Sequence, residues 1–247
     1  MNIVAAYSIK GGVGKTAFAV NFAYACAQAG QRTLLLDLDP QGASSFYFRV
    51  RPSEKLKGRK LMAGKQSLAD FLRESDYPGL DILPAKLSFR HFDHVLADAA
   101  KPRDHLRHLL KPLADDYDLV ILDAPPNLNL LSENILHATD AVVCPVVPTP
   151  LSANTLAQLV EFLEERFADH MPEFLPFFSM VESRKRLHRD TMCELRAQYP
   201  TFLRTVVPYA TDVERMGLTR APLLATRPAC VAGKAFTQLA AEVLRAL

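Results

Sequence analysis

The chain has 247 residues, 49% of them hydrophobic and 23% charged; this excludes a disordered class and supplies a core without disulfides or structural metal. Its formal net charge of +2 excludes a polycation, so any nucleic-acid or membrane contact has to come from a local patch. Four cysteines, Cys26, Cys144, Cys193 and Cys230, occur without a C-x-x-C pair, which fits small side chains in a reducing compartment rather than a disulfide framework or zinc site. No apolar run approaches the ~20 residues of a membrane-spanning helix. The first strand follows Met1 with no basic leader, so a cytoplasmic protein is expected.

In chain order, the first expected strand covers residues 3–7 and runs into Ser8-Ile9-Lys10-Gly11-Gly12-Val13-Gly14-Lys15-Thr16. A helix is expected over 15–29, with Phe18, Phe22 and Cys26 on one side. Strand, glycine loop and helix in that order specify a phosphate-binding loop. Glycines let backbone N–H groups converge on phosphate oxygens, and the helix N-terminus adds unpaired donors. Gly11, Gly12, Val13, Gly14, Lys15, Thr16 and Ala17 are the nucleotide-binding candidates. Lys15 would reach the β- and γ-phosphates, and the Thr16 hydroxyl would ligate Mg²⁺. Ile9 stands where the ordinary loop has glycine, and Lys10 adds a second cation.

A strand over 33–36 is followed by Asp37, Asp39, Pro40, Gln41 and Gly42. Residues 49–65 then carry Arg49, Arg51, Lys55, Lys57, Arg59, Lys60 and Lys65 against one acid, Glu54. With Pro52, Gly58 and Gly64 inside it, this stretch is expected to be a mobile surface loop, either a solvated connection or a contact for phosphate backbone or an acidic partner. A helix over 67–73, a strand over 80–83 and a helix over 103–114 precede a strand over 119–122 that ends in Asp123. The remaining strands are expected over 141–147, 177–181 and 205–207, and the remaining helices over 130–138, 152–167, 189–199 and 234–247. Continuously apolar strands alternating with helices predict one doubly wound α/β domain over 1–247, with a mostly parallel sheet flanked by helices, of the P-loop NTPase type.

Lys10 to Thr16 resembles the deviant Walker A loop of the ParA/MinD family, with Lys10 in the place of the signature lysine. The likeness extends over nearly the whole chain. It implies a MgATPase that forms a homodimer with ATP, in which Lys10 crosses to the phosphates held by the partner subunit. Asp37 to Gly42 resembles the family's D-x-D-P-Q-G switch, which implies that Asp39 positions the attacking water and that Asp37 is structural or near the metal. Lys10, Lys15 and Asp39 are therefore the catalytic candidates, and Thr16, Asp39 and Asp123 the Mg²⁺ candidates, the acids acting through water. Ala43 and Asn129 depart from the family's asparagine and glycine, whereas Asn134 matches.

Ser179 to Arg184 and Val206 to Pro208 resemble later family segments, implying that Met180 and Pro208 flank adenine. The resemblance further implies nonspecific DNA binding, with Arg184, Lys185, Arg186, Arg189, Arg215 and Arg220 as candidates and Arg227 and Lys234 beyond them. Tyr209 to Glu214 is less basic than the family norm. A ParB-like or other activating partner and a place on the nucleoid are implied, with a chromosome, plasmid or protein assembly as cargo. Without a basic amphipathic tail, the membrane-bound branch is disfavoured, and with no segment ahead of the first strand, operator binding is not expected. The iron protein of nitrogenase has a similar loop, but no cysteine lies between Ala124 and Asn129 to hold its cluster. A non-segregating scaffold that recruits division or polar proteins is the alternative reading.

Overall fold

The computed structural model describes residues 1–97 and 103–247. Its strands are β1 (Asn2–Ala6), β2 (Thr33–Asp37), β3 (Arg73–Glu74), β4 (Leu80–Leu83), β5 (Leu119–Asp123), β6 (Ala141–Val146), β7 (Glu173–Val181) and β8 (Val206–Pro208). They form one sheet in the order β3-β4-β2-β5-β1-β6-β7-β8. Every pairing is parallel except that of the edge strand β3 with β4. The helices are α1 (Lys15–Gln28), α2 (Ala43–Tyr47), α3 (Gly58–Met62), α4 (Phe92–Ala97), α5 (His105–Leu110) and α6 (Leu130–Ala138), followed by α7 (Pro150–Arg166), α8 (Arg186–Gln198), α9 (Thr211–Glu214), α10 (Met216–Thr219), α11 (Leu223–Thr226) and α12 (Val231–Ala246).

Alternate strand residues enter two separate apolar layers. Ile3, Ala5, Leu34, Leu36, Val120 and Leu122 pack with α4 to α8 on one face. Val4, Ala6, Leu35 and Ile121 pack with α1, α11 and α12 on the other. Both faces of each central strand are dry, which is why these strands read as unbroken apolar runs. Cys26 and Cys144 are buried core side chains, as expected, and all four cysteines are free.

Several expected boundaries differ. Residues 67–73 form only a 3₁₀ turn at Ala69–Phe71 before β3, because Leu68 and Phe71 are the buried anchors and the chain then joins the sheet edge. The helix expected over 103–114 is α5 followed by a 3₁₀ turn at Lys111–Leu113, where Pro112 interrupts the ladder. Residues 49–65 are not an irregular loop. They contain α3, and Leu56, Leu61 and Met62 are buried in the core.

Candidate functional site

β1, β2 and β5 end side by side, with Ala6 in register with Asp123 and Asp123 in register with Asp37. The crevice beyond the carboxyl ends of parallel strands is where doubly wound folds bind ligands. The loop leaving β1 turns over this row before entering α1. Gly14 has φ 101°, and a Cβ there would lie 2.9 Å from Ser179 Oγ on β7, so both backbone angle and space require glycine. No side chain caps α1, and no acid occupies its first turn. The positive end of the helix is left for an anion.

The two lysines of the loop take different routes. Lys15 is 7% exposed, and its ammonium donates to the Lys10 carbonyl at 3.1 Å. Burial pulls its pKa below the ordinary lysine value, against the opposing charges of Asp123 and Asp39. The Lys10 ammonium instead donates to Ser152 Oγ at 2.9 Å, in the first turn of α7. Ser152 is itself hydrogen-bonded to Thr149 at 3.1 Å.

Asp37 and Asp123 are 0% and 1% exposed. Asp37 Oδ2 accepts from the backbone N and the hydroxyl of Ser45, each at 2.7 Å. Asp123 Oδ2 accepts from Ser44 Oγ at 2.7 Å, and the nearby Thr16 hydroxyl works against the rise in the Asp123 pKa. The Oδ1 atom of each acid is buried without a hydrogen-bond partner. Burial raises both carboxyl pKa values, and the Asp123 charge adds to the rise at Asp37. Two orphaned carboxylate oxygens beside a threonine hydroxyl fit a hard divalent cation. Among the described residues no three acidic, histidine or cysteine side chains converge as a metal site. A cation here would complete its shell with water and phosphate oxygens, as Mg²⁺ commonly does. Asp39 stands at the mouth of this row, half-buried, its Oδ1 accepting from Gln41 N at 2.9 Å.

Burial holds the Asp37 carboxyl above the usual carboxylate pKa, and that has a measurable sign. A folded-state pKa above the unfolded value of about 4 means that native protein holds a proton which the unfolded chain releases. The stability present below that pH is therefore lost as pH rises through the raised value. Asp37→Asn keeps the acceptor for Ser45 and removes the charge. It is expected to stabilise the ligand-free protein by ~1–3 kcal/mol at neutral pH and to flatten this pH dependence, read from urea midpoints. A lower midpoint in the variant would contradict a carboxyl made costly to ionise by burial.

Beyond Asp123 the chain passes Pro126, whose Cγ would lie 3.8 Å from a Cβ on Gly11, and the Tyr7 hydroxyl donates to the Asn127 carbonyl at 2.5 Å. Asn129 caps α6: its Oδ1 accepts from Ser132 N at 3.1 Å, and Ser132 Oγ accepts from Asn129 N at 3.2 Å. Asn129 Nδ2 also donates to Asp93 Oδ2 of α4 at 2.6 Å. Capping and this tether account for an asparagine where glycine was expected. Asn134 accepts from Leu106 N at 3.2 Å and donates to the Leu130 carbonyl at 3.0 Å, fastening α6 to α5.

Met180 has φ 53° at a register shift between β7 and β8, and it directly precedes Val181, the partner of Pro208. Met180 and Pro208 thus lie together at the carboxyl end of the sheet, with Met180 Cε 3.8 Å from where a Gly14 Cβ would be. Arg184, Lys185, Arg186 and Arg189 gather at the start of α8, all exposed. Lys185 pairs with Glu182 and Arg186 with Asp190. Arg215 and Arg220 flank α10. Arg220 lies 4.6 Å over the Phe46 ring and donates to the Phe46 carbonyl at 3.1 Å, tying α10 to α2. Arg227 pairs with Asp212, and Lys234 is exposed on α12. Ser44, Ser45 and Ser152 were missed as site residues. For the first two, the available signal was a pair of hydroxyls just after the acidic segment Asp37 to Gly42. No helix among the described residues is long and apolar enough to cross a membrane.

A parallel sheet with a glycine loop at the exit of β1 and an acid closing each of β2 and β5 defines a P-loop nucleotide-binding protein. The model of the family described as AAA domain matches residues 1–174. The chromosome partitioning protein ParA of Caulobacter vibrioides is 28% identical over 251 aligned positions, covering 99% of this chain and 94% of that protein. Among solved structures, the ATP complex of a McdA variant from Cyanothece has a TM-score of 0.85 at 18% identity, covering 98% of this chain and 96% of that one. Cobyrinic acid a,c-diamide synthase from Mycobacterium smegmatis, with bound ATP analog and magnesium, has a TM-score of 0.82 at 24% identity, covering 99% and 95%. At these identities the two structures establish the fold. The chain belongs to the ParA/MinD family of P-loop ATPases.

Proposed function

We propose that residues 1–247 form one ATPase domain that works as a positioning switch. ATP joins two copies, the dimer holds DNA without sequence preference, and a ParB-like or other partner stimulates hydrolysis and release. The observation that carries this reading is the disposition of the two lysines. Lys15 lies buried in the loop above Asp123 and Asp37, while Lys10 is held at α7. A loop that needed both cations for its own ligand would not place the second one there.

In this reading the loop amides and Lys15 bind the β- and γ-phosphates, and Met180 and Pro208 bracket the adenine. Thr16, Asp123 and Asp39 would hold Mg²⁺, the acids through water, and the ion would supply charge neutralisation at the phosphates. Asp39 orients the attacking water. Turnover without a partner is slow, because the site depends on positioning and has no strong general base. The relative named as a chromosome partitioning protein supports a segregating or positioning role on the nucleoid, with Arg184, Lys185, Arg186, Arg189, Arg215 and Arg220 as candidate DNA contacts.

Asp39→Ala tests the switch. Phosphate release is expected to fall by about 10²-fold or more, while ATP-dependent dimers persist in light scattering after size exclusion. Unchanged release would remove Asp39 from the mechanism. A wild-type protein that pairs with ATP yet releases no phosphate, with or without DNA, would favour the nucleotide-dependent scaffold.

A further inference from the structure

Residues 49–65 carry seven cations and one acid in a chain whose net charge is +2, so the rest of the molecule is net negative. The structure shows how this charge is displayed. The Lys86 ammonium donates to the carbonyls of Ser53, Glu54 and Leu56 at 3.1, 3.2 and 2.7 Å. Gln66 closes the other side, its Oε1 accepting from Lys57 N at 3.0 Å and its Nε2 donating to the Lys55 carbonyl at 3.1 Å. A Cβ on Gly58 would lie 2.9 Å from Ser88 Oγ and 3.0 Å from Phe92 Cε1, so α3 packs flush on the segment before α4. Leu56, Leu61 and Met62 point inward, and Lys55, Lys57, Arg59, Lys60 and Lys65 are exposed.

None of those five cations is in an ion pair among the described residues, whereas Lys185, Arg186 and Arg227 each have a carboxylate partner. The platform also adjoins the nucleotide site. Ser45 Oγ, which donates to Asp37, accepts from Ala85 N at 2.8 Å, and the next residue is Lys86.

We infer that this fastened cationic platform, residues 51–65, is a contact for nucleic-acid phosphates. The inference rests on the DNA-binding part of the proposed function and adds to its candidate contacts a second surface on the other side of the nucleotide-site segment 43–45. Protein partners are gripped by apolar anchors set in a polar rim. Within 51–65 no large apolar side chain is exposed, which leaves only point charges to offer. Point charges suit a sequence-independent phosphate backbone.

The test uses the full chain with ATP and Mg²⁺ and a mixed-sequence DNA duplex, read by fluorescence anisotropy across a salt series. The platform variant is Lys55→Gln, Lys57→Gln, Lys60→Gln and Lys65→Gln together, and the matched Lys→Arg set is the control. The glutamine set is expected to bind at least ~10-fold more weakly, with a slope of log affinity against log salt reduced by roughly 3–4, as for four lost phosphate contacts. The arginine set keeps wild-type binding, and DNA-free phosphate release is unchanged in both. Wild-type affinity and slope in the glutamine set would overturn the platform but leave DNA binding standing. A wild-type protein that binds no duplex in any nucleotide state would overturn the DNA reading and the platform with it. Tighter binding to poly-glutamate than to duplex would reassign the surface to an acidic protein.

Discussion

Lys15→Ala is expected to lower ATP turnover by at least ~10²–10³-fold, the scale of losing a preorganised charge at a phosphoryl group, and to weaken nucleotide binding as well. The ammonium is nearly enclosed, hydrogen-bonded to its own loop, and offset in its burial by Asp123 and Asp39. A buried lysine with lowered pKa is held charged at some cost, and an arriving triphosphate relieves that cost. The other cation of the loop, Lys10, is turned away from Lys15 and rests on Ser152 of α7. The sheet should remain intact, since Lys15 heads α1 rather than packing its core face. Phosphate release, a fluorescent-nucleotide titration and circular dichroism measured together decide the matter. Turnover within tenfold of wild type in a folded Lys15→Ala protein would contradict the role given to it.

Lys10→Ala should have a comparable effect for a different reason. Turnover is expected to fall by ~10³–10⁵-fold, the range found when a cation supplied across an interface is removed, while the affinity of one subunit for nucleotide changes little. In the isolated chain the Lys10 ammonium rests on Ser152, which is 4% exposed and also bonded to Thr149. That is a specific resting place, and leaving it costs one charge-assisted hydrogen bond, roughly 1.5–3 kcal/mol. The charge of a neighbouring triphosphate exceeds this easily. A parallel loss of nucleotide affinity in Lys10→Ala would instead place Lys10 at the phosphates of its own subunit.

Much of this was legible before any coordinates. The glycine loop, the strands bearing Asp37 and Asp123 and the doubly wound order follow from apolar runs and glycine spacing, because strands dry on both faces have no freedom to alternate. The wrong expectations fall where long-range contacts set local form. Residues 49–65 look like a loop by composition, yet Lys86, some thirty residues on, and the adjoining Gln66 fasten them. Asn129 reads as a defect in a glycine pattern until the capping of α6 and the Asp93 tether are seen. Met180 gives no sequence sign of its left-handed backbone, which arises from the register shift between β7 and β8. The partnerless oxygens of Asp37 and Asp123 likewise emerge only when two strands are placed in register.

The central claim is that each ATP site is completed by Lys10 of a second subunit. Mixing Lys10→Ala protein with Asp39→Ala protein, each inactive alone, tests it directly. In a mixed dimer, one site combines the intact Asp39 of the first chain with the intact Lys10 of the second. Random pairing in a two-fold dimer should restore about a quarter of wild-type phosphate release. Release that stays at the level of the separate variants, in a mixture shown to exchange subunits, would contradict a shared site.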